Sequence, residues 1–415
     1  MSEIFRIIGG ERLAGRAEIP AAKNAVLPIL AACLLTNDRV ELENCPLLDD
    51  IGNMIRILEA LGCRAARNGD KLTVWPAGAN SHEMPDALSK LLRSSIFMMG
   101  PLLGRFRKAS VTYPGGCEIG LRPIDLHLKG LRALGVEIRE EHGRIYCDGS
   151  GMRAADVLLD FPSVGATENI MMAAVLVKGE TVIRNAAREP EIADLQAFIN
   201  TMGGRVSGAG SGIVRVEGVS GLHGAVYRPI PDRITAGTLL CAAAMTGGEI
   251  ELAGARGDCM DAVLSKLREA GCFVDEAGEG VRLNAPARLR SVDVFTQPYP
   301  GFPTDMQAQL MALACVAEGT SILVENVFES RFNHAAQLMR MGADITIHHR
   351  AAVVRGGRLT GARVTAKDLR AGAALVLAGL TADGVTEVEN VALIDRGYER
   401  LEETLSSLGG QVRRV

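Results

Sequence analysis

Aromatic residues are scarce in this chain: Phe, Tyr and Trp make up 4% of 415 residues, with one Trp. Its interior must therefore be filled by small and aliphatic side chains. A basic excess is also missing. Lys+Arg 45 against Asp+Glu 49 gives a formal net charge of −4, which points to neither nucleic acid nor an anionic membrane surface. An anionic ligand would need positive charge concentrated locally. The apolar run Ala25–Leu35 has eleven residues, short of the roughly 20 needed to span a bilayer. Met1–Arg6 shows no basic region leading into an apolar run, so no signal peptide and no membrane insertion are expected. The nine cysteines include no Cys-x-x-Cys pair and read as reduced, mostly buried thiols of a cytoplasmic protein. His-Glu-x-x-His is missing too, so no catalytic metal is expected.

What the chain does have is apolar residues (47%), 47 glycines and a moderate 23% of charged residues. That composition excludes disorder, and the length suits two or three domains. An internal repeat narrows the count. Helix endings recur at Leu61-Gly62, Leu134-Gly135, Met202-Gly203, Ala270-Gly271, Met341-Gly342 and Leu408-Gly409, at spacings of 73, 68, 68, 71 and 67 residues. Each follows an amphipathic stretch such as Met54–Leu58 or Leu264–Leu267 and precedes a strand-like alternation such as Val136–Ile138 or Phe273–Asp275. The glycine is expected in the left-handed C-cap conformation.

Between these caps recurs a second helix, apolar nearly all round and therefore buried. The six are expected at Asn24–Leu35, Leu88–Leu103, Ala166–Val177, Ile234–Met245, Asp305–Ala317 and Asp368–Leu380. With flanking strands, one unit reads strand, buried helix, strand, exposed helix, strand. Units of about 69 residues exceed solenoid periods of roughly 20–50. Three per domain give an α/β protein of two domains. Its boundaries are expected near Ala21–Ala22 and Pro229–Pro231, giving lobes 23–230 and 1–22 with 231–415. Two crossings between lobes imply a hinge and a cleft.

Charged residues at the starts of the buried helices break the apolar pattern: Lys23, Arg93, Asp232, Arg233, Asp305, Asp368 and Arg370. Helix N-termini favour anions and need caps. Taken singly, Asp232, Arg233, Asp368 and Arg370 read as caps or salt-bridge members. Tyr113–Pro123 is glycine- and proline-rich around Cys117 and Arg122, poor core material that can act as a lid. Cys117 has two readings, a thiol activated by nearby arginine and a passive loop thiol. Gly208–Gly212 lies between strand-like runs and reads as a hairpin turn rather than a phosphate loop. His348-His349 reads as part of a solvated strand.

Several stretches together resemble the enolpyruvyl transferase family, in the branch whose acceptor is UDP-N-acetylglucosamine. They are Ala-Lys-Asn at 22–24, Gly-Gly-Cys-x-Ile-Gly-x-Arg-Pro-x-Asp at 115–125 and Ser-Val-Gly-Ala-Thr at 163–167. Asn-Ala-Ala-Arg-Glu-Pro-Glu at 185–191, Phe-Pro-Thr-Asp-Met-Gln-Ala-Gln at 302–309 and Ile-Asp-Arg-Gly-Tyr-Glu-Arg at 394–400 complete the set. The resemblance spans essentially the whole chain. It implies an inside-out α/β barrel in each of two domains, and the first committed step of peptidoglycan synthesis, inhibited by fosfomycin. Enolpyruvate would pass from phosphoenolpyruvate to the sugar 3′-hydroxyl with release of phosphate, without metal or organic cofactor.

The resemblance also implies site residues. Cys117 matches the family's acid and Asp305 its base. Lys23, Arg122 and Arg396 match residues that hold phosphoenolpyruvate, with Asn24 and Arg93 nearby. Asn24, Arg93, Arg122, Pro123, Ile124, Asp125, Leu126, Ser163, Val164, Gly165, Asp305 and Val327 match positions that contact the UDP-sugar. One departure stands out. Many relatives carry a lysine just before Ser-Val-Gly, where this chain reads Asp160-Phe161-Pro162. Two other readings compete. A shikimate-pathway enolpyruvyl transferase shares the fold but lacks the Gly-Gly-Cys lid, and a non-catalytic sugar-nucleotide-binding paralogue would not need Cys117, Asp305, Lys23 and Arg396 together.

Overall fold

The computed structural model describes residues 3–113, 124–276, 278 and 280–415, with Arg93 described by its backbone. It forms two compact units, one containing Met1–Pro20 and Pro231–Val415, the other built from residues 21–113 and 124–230. Each has its own aliphatic core.

Among the described residues, six small sheets carry the repeat. In one of them, Asp156–Leu158 pairs in parallel with Glu180–Arg184, so a helix must cross over between them. That helix is the central one, and Ile213–Glu217 and Arg205–Ser207 extend the sheet antiparallel. The repeated unit is therefore strand, central helix, strand, exposed helix and a two-stranded hairpin. The hairpin adds one strand to the repeated unit read from sequence; in this repeat its strands, Arg205–Ser207 and Ile213–Glu217, are the strand-like runs on either side of Gly208–Gly212. Gly208–Gly212 is the turn of this hairpin. His348 ends one strand of another, with His349 at φ 52° in its turn. In the second repeat the first strand shrinks to a single bridge, Glu83 to Ser110, leaving a three-stranded sheet.

The N-terminal segment belongs structurally with the C-terminal half. Phe5–Ile8 lies between Val385–Glu389 and Gln411–Arg414, while Ala14–Glu18 pairs in parallel with Glu249–Ala253. In the other unit, Ala225–Tyr227 completes the sheet of Val40–Leu42. All six cap glycines, 62, 135, 203, 271, 342 and 409, have φ between 86° and 103°. The conformation is cheap for glycine and strained for any residue with a Cβ.

The six central helices are α1 (Lys23–Ala32), α2 (Met99–Phe106), α3 (Val164–Ala174), α4 (Arg233–Thr246), α5 (Gln307–Ala314) and α6 (Leu369–Thr381). Each is buried on nearly every face. The continuous helix expected over Leu88–Leu103 is broken into Asp86–Leu91, a 3-10 stretch Arg93–Met98, and α2. Pro101 accounts for the break nearest α2: it lacks the N–H that would bond to Phe97, so it fits the first turn of a new helix but not the middle of a long one. At Gly100 the chain gains close packing. Its N–H donates to Asn169 Oδ1 (2.7 Å), and a Cβ there would meet the Asn169 carbonyl at 2.5 Å. Among the described residues no helix is long and apolar enough to cross a membrane.

Candidate active site

In the 21–230 unit, Lys23 and Asn24 open α1. Lys23 Nζ lies 3.2 Å from Asp50 Oδ2, and both side chains are largely buried. Asp50 sits in the first turn of the helix Asp49–Ala60, where unpaired N–H groups favour its negative charge. The cation is thereby fixed at the start of an otherwise apolar helix.

Ser163 caps α3, accepting from Ala166 N (3.3 Å), with Val164 and Gly165 in the first turn. Ile124 precedes the helix Asp125–Ala133, which also contains Leu126. The two segments meet at Gly165. A Cβ there would lie 2.9 Å from both the His127 and Phe97 rings, so glycine is required for the approach. Asn169 holds the His127 ring from the other side, with Nδ2 2.7 Å from His127 Nδ1 and 2.9 Å from the Ile96 carbonyl, to which it donates. Thus the structure brings 124–126 and 163–165 together. Asp160 carries the sequence departure and pairs with Lys129 at 2.7 Å. Cys117, Arg122 and Pro123 lie outside the described residues, and Arg93 opens the 3-10 stretch Arg93–Met98.

The other unit holds Asp305, in a 3-10 turn just before α5. Its Oδ1 accepts from Arg331 Nη2 at 2.7 Å and its Oδ2 from Arg370 Nη2 at 3.1 Å. Both arginine side chains are at most 5% exposed, whereas Asp305 is 26% exposed. The carboxylate is thus backed by two guanidinium groups and still reaches the surface. Two positively charged partners favour its ionised form. Arg331 escaped the sequence reading because it lies in an irregular loop with no periodicity to mark it. Arg370, which the sequence marks as a cap or salt-bridge member, makes its salt bridge to the candidate base.

Asp232 and Asp368 are capping residues. Asp232 Oδ1 accepts from Ile234 N (2.8 Å) and Thr235 N (3.0 Å), and Asp368 Oδ1 from Arg370 N and Ala371 N (both 2.9 Å). Arg233 stacks over Tyr299, 5.6 Å from the ring centroid. Among these three aspartates, Asp305 is the one that caps no helix.

Val327 is tied to this aspartate through Glu325, a residue that the sequence reading missed. The buried Glu325 carboxylate accepts from Val327 N (2.9 Å), Phe328 N (3.0 Å) and Thr296 Oγ1 (2.9 Å) through Oε1, and from Thr304 Oγ1 (2.8 Å) through Oε2. It therefore clamps the 326–328 loop to the turn that carries Asp305. Arg396 follows the short helix Ala392–Asp395, two residues before the buried Tyr398.

The eight described cysteines are buried. Burial pushes Cys63 up to about 11 and Cys147, Cys272 and Cys315 to about 12, and raises Cys33 and Cys241 as well. Such thiols are poor nucleophiles at neutral pH.

Comparison with known proteins adds identity to this geometry. The EPSP synthase (3-phosphoshikimate 1-carboxyvinyltransferase) family model matches residues 7–405. A UDP-N-acetylglucosamine 1-carboxyvinyltransferase 2 of Caldanaerobacter subterraneus subsp. tengcongensis is 51% identical over 413 residues, 99% of each chain. A UDP-N-acetylglucosamine 1-carboxyvinyltransferase of Myxococcus xanthus is 49% identical over 98% of each. Among solved structures, the enolpyruvyl transferase NikO from Streptomyces tendae superposes with a TM-score of 0.89 at 23% identity, covering 100% of this chain and 99% of its own. An EPSP synthase from Acinetobacter baumannii gives 0.76 at 16% identity, over 100% of both. At those identities the superpositions speak for the fold alone: two domains of the EPSP synthase type.

Proposed function

The chain belongs to the EPSP synthase (3-phosphoshikimate 1-carboxyvinyltransferase) family, and from that premise we propose that it is a UDP-N-acetylglucosamine 1-carboxyvinyltransferase acting in peptidoglycan synthesis. The observation that carries this reading is identity near one half, over essentially the full chain, to proteins of that name. The shikimate-pathway reading has the family model and the shared fold in its favour, but the EPSP synthase structure is only 16% identical.

The donor is phosphoenolpyruvate and the acceptor the 3′-hydroxyl of UDP-N-acetylglucosamine. In the addition step the sugar oxygen bonds to C2 of phosphoenolpyruvate, C3 takes up a proton, and the hydroxyl proton leaves. In the elimination step C3 returns a proton, the bond between C2 and the phosphate-ester oxygen breaks, the C2=C3 double bond re-forms, and inorganic phosphate departs. Asp305 is the acceptor for the hydroxyl proton: an ionised carboxylate with one edge at the surface can receive it. Cys117 delivers the proton to C3, and the raised pKa values of Cys33, Cys63, Cys147, Cys241, Cys272 and Cys315 argue against those six thiols as competitors. Lys23, Arg122 and Arg396 take the phosphate and carboxylate of phosphoenolpyruvate, with Arg93 and Asn24 beside them, charge-assisted contacts suited to a dianion. Arg331 and Arg370 keep Asp305 charged and oriented. The starts of α3 and of the helix Asp125–Ala133 supply backbone N–H groups to the UDP-sugar, as helix N-termini do for phosphates, and Val327 contacts the sugar from its clamped loop.

The test is phosphate release from phosphoenolpyruvate with each candidate acceptor. Release that requires UDP-N-acetylglucosamine is expected, and release with shikimate 3-phosphate in its place would overturn the reading. Asp305→Asn should keep substrate binding and lose about 10²–10⁴ in turnover, and Cys117→Ser should abolish alkylation by fosfomycin. Normal turnover in the first variant, or unchanged alkylation in the second, would remove those assignments.

A further inference from the structure

Behind Asp305 and Arg370 lies a closed set of buried polar side chains that the proposed chemistry does not use. Tyr398, Thr238 and Gln309 are all at most 1% exposed and come from three segments: the 396–400 loop, α4 and α5. Tyr398 Oη lies 2.9 Å from Thr238 Oγ1, and Gln309 Nε2 lies 3.0 Å from Thr238 Oγ1 and 3.2 Å from Tyr398 Oη.

A count of hydrogens fixes the direction of this chain. Thr238 has one hydroxyl hydrogen and donates it to the Ile234 carbonyl at 2.7 Å. Its oxygen can then only accept, so Tyr398 donates to Thr238. Gln309 fills the remaining roles by donating one amide hydrogen to each hydroxyl. The phenol is therefore held as a donor with its ring locked in one plane. Burial raises its pKa against the opposing pull of Arg370, so the proton stays in place.

The ring face meets a charge. Arg370 Cζ lies 5.3 Å from the Tyr398 ring centroid, within cation–π range, while its Nη2 holds Asp305 Oδ2. Arg370 also makes a side-chain hydrogen bond with Tyr398, which favours the charged guanidinium and ties it to the locked phenol. A guanidinium group is planar, and its fork points where its plane points. Fixing the ring therefore fixes the fork.

We propose that Tyr398, locked by Thr238 and Gln309, is a positioning residue that sets the Arg370 fork and through it the orientation of the Asp305 carboxylate. The inference rests on the reading of Asp305 as base given above. Tyr398 touches no reacting atom in this scheme; it acts through Arg370.

The test uses the full chain with Tyr398→Phe, Arg370→Lys and the double variant, measured by phosphate release and by denaturant unfolding. Tyr398→Phe keeps the ring but frees it from Thr238, so kcat is expected to fall about tenfold with KM for UDP-N-acetylglucosamine within about twofold of wild type. In the Arg370→Lys background, where the planar fork is gone, the same substitution should cost less than about twofold. A full tenfold loss in that background overturns the proposal, as does a wild-type kcat for Tyr398→Phe. Coupling seen in unfolding but not in kcat would confine the pair to stability and also overturn it. A wild-type chain that releases no phosphate from the two substrates overturns the functional reading and this inference together, whereas an active wild type with uncoupled variants overturns this inference alone.

Discussion

The two units repeat one scaffold three times each, yet load the starts of their central helices differently. In the 21–230 unit, α1 opens on Lys23 held by Asp50, and α3 opens on a neutral serine cap. In the other unit, α4 and α6 are capped by Asp232 and Asp368, while the turn before α5 carries Asp305 against two arginines. Capping satisfies the N–H groups of α4 and α6 with carboxylates that are then occupied. At α5 that role is left empty, and the carboxylate there is held by side chains that leave one edge open. The repeat provides equivalent positions, and departures from equivalence mark the chemistry.

The contrast can be broken most strongly at Lys23. Lys23→Met takes the cation from Asp50, which is 3% exposed, and should cost about 3–5 kcal/mol in denaturant unfolding. Arg331→Met should cost clearly less, since Asp305 keeps Arg370 and reaches solvent. Equal costs would show that the two sites are held alike.

Buried ionisable groups sharpen the contrast through pH. His334, at the end of the loop beyond Arg331, is buried, and burial lowers its pKa to about 4 with Arg331 adding to the effect and Asp368 opposing it. Its folded pKa lies below the unfolded value near 6.5. Its contribution to stability is therefore present above pH 6.5 and lost as pH falls toward 4, about 3 kcal/mol in all. His334→Gln should flatten the acid limb of a stability–pH curve, and an unchanged limb would contradict this.

Glu168, on α3 in the other unit, behaves with the opposite sign. It is fully buried, neither carboxyl oxygen has a hydrogen-bond partner among the described residues, and burial raises its pKa, with Glu191 and Glu189 adding to the shift. Its stabilising contribution is present below the unfolded pKa and lost as pH rises. Glu168→Gln should therefore stabilise the protein by about 2 kcal/mol at pH 8 and by nearly nothing at pH 4. A variant less stable than wild type at pH 8 would show that the carboxylate is paired and charged.

Much of the architecture was legible in the sequence because it repeats. The Leu-Gly, Met-Gly and Ala-Gly endings named the C-caps, and six all-apolar helices named the interior, since periodicity and left-handed glycines are local properties. The hairpin was legible at Gly208–Gly212, between two strand-like runs, but not as a feature of every repeat, because strands of three to five partly polar residues carry little pattern. Nor was the break before α2, which depends on where Pro101 falls in a run that otherwise reads as helix. At the site, Lys23 and Asp305 stood out as charged interruptions of apolar helices, whereas Ser163–Gly165 were marked only by the family resemblance. Arg331 and Glu325 did not stand out: a loop arginine and a strand-end glutamate have no spacing that announces them, and Tyr398 was marked only as a member of the 394–400 stretch.

The sequence by itself determined the repeat, its caps and the apolar character of each central helix, because those follow from residues a few positions apart. Which side chain meets which was decided only by the tertiary structure. Asp305 is 65 residues from Arg370, and Tyr398 is 160 from Thr238. Those pairs meet because separate central helices pack on one another, and at such separations no local preference reports the contact.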